Sequence, residues 1–85
     1  MGERWDFNML HVVDVDGQLL AIDPEVVDAA SLLARAGRPT DRELWHVRAG
    51  ERHPLGSRQR VRLSRDEVLF FESEPARRAD FALVA

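Results

Sequence analysis

The chain has 85 residues, no cysteine and a formal net charge of −3, with 45% hydrophobic and 32% charged residues. That length is one small domain with a thin core. The missing cysteines exclude a disulfide staple, a Cys-based zinc site and a thiol nucleophile, and the acidic balance speaks against generic nucleic-acid binding.

Residues 1–8 show no clear period and read as an N-terminal arm. From Met9 to Val15 the residues are apolar and β-branched, which predicts a strand. Asp16-Gly17 follows, a strong signal for a two-residue type I′ turn, and Gln18 to Ile22 is the returning strand.

A helix comes next, with Asp28 as N-cap and Ala29, Leu32, Leu33 and Ala36 on one apolar face. Val27 and Leu32 are placed for a hydrophobic staple. Gly37 ends the helix and Pro39 prevents its return. Asp23-Pro24 is a rival start, with the proline at the first helical position; Asp28 is preferred.

Glu43 to Val47 reads as a third strand, broken by Ala49-Gly50. Arg52 to Leu55 fits an edge strand, because Pro54 has no amide to give a central ladder. Arg60 to Leu63 alternates polar and apolar residues. Val68 to Phe71 is a nearly continuous apolar run, as a central buried strand requires. The pattern stops at Pro75. The expected organisation is an arm over 1–8, a domain over 9–74 and a tail over 75–85.

This order predicts an α+β chain in which one main helix packs on one face of a mixed sheet, the β-grasp arrangement. The first hairpin and the last strand are expected in the middle of the sheet. The expected core is Val13, Val15, Leu20, Ile22, Leu32, Leu33 and Leu63, with one of Phe70 and Phe71.

Val15-Asp16-Gly17, Asp23-Pro24, and Asp28 leading into Leu32-Leu33-Ala34-Arg35-Ala36-Gly37 resemble the bacterial multiubiquitin domain. Leu44 to Val47 and Val61-Arg62-Leu63-Ser64 through Phe71 fall in matching order, so the resemblance covers about residues 10–74. No single motif is diagnostic; order and spacing carry it. The resemblance implies a ubiquitin-like protein modifier without enzymatic activity or cofactor, cytoplasmic, in a bacterial ubiquitination-like pathway, some of which look like antiphage defence. The implied partners are an E1-like adenylating enzyme, an E2-like protein, a deconjugating peptidase and a protein target. Ala85 would be the conjugation terminus, with Arg77, Arg78, Phe81, Leu83 and Val84 docking the tail on the enzyme. Two departures stand out: the sequence has one unit rather than tandem repeats, and it ends Leu83-Val84-Ala85 rather than Gly-Gly. The second argues against a sulfur carrier. The rival reading is a β-grasp interaction module that binds a partner through its sheet and is never conjugated.

All twelve basic residues are arginine, so no side-chain ε-amine can accept an acyl group. No apolar run reaches the roughly 20 residues of a membrane span, and no secretory leader pattern opens the sequence, so neither a membrane nor a secreted role is expected. His11, His46 and His53 lack metal-ligand spacing. Ser31, Ser57, Ser64 and Ser73 lie outside any Gly-x-Ser-x-Gly elbow. The acids Asp14, Asp16, Asp23, Glu25 and Asp28 lack the spacing of a calcium loop and fit turn and cap roles. Arg58, Arg60, Arg62 and Arg65 form a basic stripe, either a solvated face or a dock for an acidic partner. Strand alternation pairs Trp45 with Val47. If Leu44 points inward, these two make a partner-binding patch on the open sheet face; otherwise Trp45 is core.

Overall fold

The computed structural model describes residues 10–76. They form an α+β structure of seven strands and one short helix: β1 His11–Val15, β2 Gln18–Ile22, β3 Val26–Asp28, α1 Ala29–Arg35, β4 Glu43–Arg48, β5 Glu51–Leu55, β6 Arg60–Arg62 and β7 Leu69–Glu74. The main sheet is five-stranded in the order β2-β1-β7-β4-β5. β7 runs parallel to β1 and antiparallel to β4, so the sheet is mixed. The last strand is therefore central in order, but it lacks the burial on both faces that its apolar run predicts: Phe71 is buried while Phe70 and Val68 are exposed. The first hairpin is only half central, since β2 forms an edge.

Local chemistry explains the joins. Asp16 and Gly17 both have positive φ, at 55° and 88°, the type I′ geometry that matches strand twist. Ala49 and Gly50 repeat it at 51° and 81° between β4 and β5. The sequence shows the break there but not the hairpin, because alanine rarely adopts positive φ. Asp28 caps α1, accepting from the Ser31 amide at 2.8 Å. The two amides before it are also satisfied, Ala29 by the Gln59 carbonyl and Ala30 by that of Ser57, both at 3.1 Å. At the other end Gly37, at φ +75°, closes a Schellman motif: Arg38 N–H donates to the Leu33 carbonyl and Gly37 N–H to that of Ala34.

A further feature departs from the sequence reading: Val26–Asp28 is a strand, which rules out the rival helix start at Asp23-Pro24 and leaves the preferred cap at Asp28. This strand pairs antiparallel with Arg60–Arg62 in a separate two-stranded sheet, with Val27 opposite Val61.

The core lies between α1 and the main sheet. Val13, Val15, Ile22, Val27, Ala29, Leu32, Leu33, Ala36, Leu44, Leu63 and Phe71 form one buried cluster. Leu20 is only partly buried, because edge strand β2 is covered on one flank alone. His11 is buried as well, and its Nδ1 pairs with the Ile22 carbonyl at 3.1 Å, which compensates the cost of placing an imidazole there. No helix among the described residues is long and apolar enough to cross a membrane.

Candidate partner-binding face

Strand alternation sorts the main sheet into two faces. Val13, Val15, Leu44 and Phe71 point towards the helix and are buried. Their neighbours therefore point away. Leu44 inward means that Trp45 and Val47 lie on the open face, and both are half-buried.

Register adds to this pair. Leu19 stands opposite Asp14, Asp14 beside Phe70, Phe70 opposite Val47, and Val47 opposite Arg52. One row thus crosses all five strands. The next row holds Glu72, Trp45 and Pro54. Leu19 is 65% exposed and Phe70 is 50% exposed, and Val12 and Val68 also present apolar surface. The adjacent phenylalanines divide between faces, with Phe71 at 1%.

Arg52 organises the β5 side. Its guanidinium lies 4.4 Å from the Trp45 ring centroid. It also pairs with Glu72 at 3.2 Å and Glu74 at 2.6 Å. An arginine fixed by two carboxylates over an indole is a stacked cation–π contact. Trp45 Nε1 is buried without a hydrogen-bond partner among the described residues. A groove of about 560 Å³ runs past Trp45 between Glu43, Pro54, Leu55 and Gly56. A smaller hollow of about 260 Å³ lies between Asp14, Asp16, Val47 and Phe70.

The end of β7 is pinned at one corner of the sheet. Ser73 donates its amide to Asp16 Oδ1 at 2.7 Å and its hydroxyl to Oδ2 at 2.5 Å. Arg38 Nε reaches the same carboxylate at 3.1 Å. Arg42 holds Ser73 from the other side, through Oγ at 2.9 Å and the carbonyl at 3.1 Å. Partial burial pushes the Asp16 carboxyl up, but the two Ser73 bonds and the Arg38 charge outweigh it, leaving the carboxyl below its ordinary range.

The other singled-out residues are engaged structurally. His46 stacks on Phe71 at 5.1 Å, and burial, then Arg48 and His53, lower its pKa. His53 is its register partner on β5 and pairs with Glu51 at 3.6 Å. Among the described residues no group of three or more His, Cys, Asp or Glu is placed to hold a metal. Asp14 accepts from the Gly17 amide, and Glu25 pairs with Arg62 at 2.8 Å. Ser64 accepts from the amides of Asp66 and Glu67. Arg60 and Arg62 belong to β6, and Arg58 and Arg65 flank it in loops, all exposed. Ala85, Arg77, Arg78, Phe81, Leu83 and Val84 lie outside the described residues, as does the arm over 1–8.

Sequence reasoning missed Leu19 and Phe70 as members of the open face, and Arg52 as the cover of Trp45. Alternation held the signal for Phe70: with Val13 and Val15 inward, one of two adjacent phenylalanines beside them must face out.

No protein-family model matches the chain, and neither a curated protein nor a solved structure is significantly similar to it.

Proposed function

We propose that the chain is a ubiquitin-like β-grasp domain that serves as a protein modifier in a bacterial ubiquitination-like pathway. The supporting observation is the strand order β2-β1-β7-β4-β5, with the last strand parallel to the first at the centre and a helix across one face. That order, in an α+β chain with one short helix, is what supports the β-grasp reading. The Asp16–Ser73 clamp fixes the point from which the segment after Glu74 departs. On this reading a cytoplasmic E1-like enzyme activates the carboxylate of Ala85. The carboxylate attacks the α-phosphate of ATP and releases pyrophosphate. A carrier thiol, and then a target amine, displaces AMP and the thiol in turn. Arg77, Arg78, Phe81, Leu83 and Val84 would seat the segment in the enzyme, with an E2-like protein and a deconjugating peptidase as further partners. The chain has no lysine, so another copy offers an acceptor only at its N-terminal amine, and a side-chain acceptor falls to the target.

A specific observation favours a second reading, an interaction module that is never conjugated: Phe70 and Leu19 expose apolar surface beside Trp45 and Val47. Mass spectrometry after incubation with the cognate adenylating enzyme and ATP separates the two. An ATP-dependent adduct on the C-terminal carboxylate, lost when residues 81–85 are deleted, supports the modifier. Its absence with an enzyme that turns over ATP leaves the interaction module.

A further inference from the structure

The two edges of the main sheet are chemically unlike. β5 carries Glu51, Arg52, His53 and Pro54, the charges and proline that keep an edge from pairing further. β2 reads Gln-Leu-Leu-Ala-Ile, with no charge, proline or glycine over its five residues. Among the described residues no strand pairs with its outer edge.

Which backbone groups of β2 face outward follows from the hairpin. A two-residue type I′ turn closes on a hydrogen-bonded pair, here Val15 and Gln18. Bonded and non-bonded pairs alternate from there, so Val13–Leu20 and His11–Ile22 are also bonded. The Asp16 amide donates to the Phe71 carbonyl at 2.9 Å, which agrees that even-numbered residues of this stretch address β7 and odd-numbered ones β2. The amides and carbonyls of Leu19 and Ala21 therefore point away from β1.

We infer that this edge is a self-pairing surface, on which a second copy of the chain adds its own β2 antiparallel about a two-fold axis through Leu20. In that register Leu19 of each copy meets Ala21 of the other, and every outward amide and carbonyl of the two residues finds a partner. Side-chain faces match too, because Leu19 and Ala21 of both copies fall on the open face. The exposed Leu19 side chain is then covered by its counterpart strand. Charge permits the approach. The pairing residues carry none, Asp16 is offset by Arg38, and Glu25 by Arg62. Asp23 of each copy is brought towards the Asp16–Arg38 pair of the other, an ion pair without net charge. Five residues a side is well short of the roughly 20–30 a side of a stable interface, so the dimer is weak and depends on concentration.

Hydrogen exchange by NMR and sedimentation velocity on the full chain, from about 10 µM to about 1 mM, test this directly. The expected result is a concentration-dependent rise in mass, with Leu19 and Ala21 amides gaining at least about tenfold protection while the Leu20 amide is protected throughout. Ala21→Pro removes one outward N–H and no intrachain bond, so it should abolish the dimer and keep the monomer folded. Leu19→Lys should act likewise without touching the backbone. Three results would overturn the inference: a single monomeric species with both amides unprotected at the highest concentration; a dimer indifferent to both substitutions; or protection of both amides in a monomer at every concentration, which would mean that another segment of the chain occupies the edge.

Discussion

Asp16 and Ser73, 57 positions apart, are joined by two hydrogen bonds, from the Ser73 amide at 2.7 Å and its hydroxyl at 2.5 Å. A turn residue of the first hairpin thereby holds the end of the last strand. The same aspartate has positive φ, so a single side chain serves both the hairpin and the closure of the sheet.

Asp16→Asn removes the charge and one acceptor while keeping the turn, because asparagine tolerates positive φ as well as aspartate does. The carboxyl is held below its ordinary value in the folded protein. Its contribution is therefore complete above the unfolded pKa of about 3.9 and is lost as pH falls through the lower folded value. The substitution should cost about 1–2 kcal/mol at neutral pH, since the charged acceptor is lost and one of its two oxygens becomes an NH2 that cannot accept from the Ser73 and Arg38 donors. The gap between wild type and variant in urea denaturation should narrow as pH falls from neutral through the unfolded value of about 3.9 and below. A gap of equal width across that range would mean that the charge contributes nothing.

Gly17→Val tests the turn itself. Gly17 has φ +88°, and an added Cβ would meet nothing within 4 Å. The cost is then purely conformational, roughly 1–3 kcal/mol for a β-branched residue at positive φ. Denaturation midpoints measure it, and an unchanged midpoint would contradict the type I′ assignment.

Leu33→Ala tests the helix face. Leu33 is 0% exposed, inside the cluster shared by α1 and the sheet. Removing a buried leucine costs roughly 2–5 kcal/mol through lost transfer energy and the cavity left behind. Ala34, one position on, is exposed; Ala34→Glu should stay within about 0.5 kcal/mol of wild type. Comparable losses for both would rotate the helix relative to its assigned face.

Where the fold was legible in the sequence, a local rule had one solution. Asp16-Gly17 admits little but a tight hairpin, Asp28 and Gly37 bracket a short helix, and Pro54 forces its strand to an edge. What stayed hidden depends on distant partners. Val26–Asp28 becomes a strand only because Arg60–Arg62 lies beside it. Asp16 reads as a turn residue, and nothing in its neighbourhood announces Ser73. The Trp45–Val47 pairing on one face followed from alternation once Leu44 was inward, whereas the stacking of Arg52 on Trp45 needs the β4–β5 register.

Phe70 and Phe71 provide the sharpest test of the sheet's two faces, because they are chemically identical neighbours with opposite surroundings. Phe71 stacks on His46, is 1% exposed and stands beside Val15 in the core. Phe70 is 50% exposed, between Asp14 and Val47 on the open face. Truncating a buried phenylalanine to alanine costs roughly 3–5 kcal/mol. That is comparable to the whole stability of a domain this small, so Phe71→Leu is the measurable variant, expected to cost about 1–2 kcal/mol. Phe70→Leu keeps most of its contacts and should remain within about 0.5 kcal/mol of wild type. Phe70→Ser goes further and removes the apolar surface while leaving the core untouched. It should fold, with the circular dichroism of wild type, and bind an apolar surface probe such as ANS more weakly. Equal destabilisation by Phe70→Leu and Phe71→Leu would mean that the open face is covered. Reversal of their order would shift β7 by one residue, since a one-residue slip exchanges every side chain between the faces.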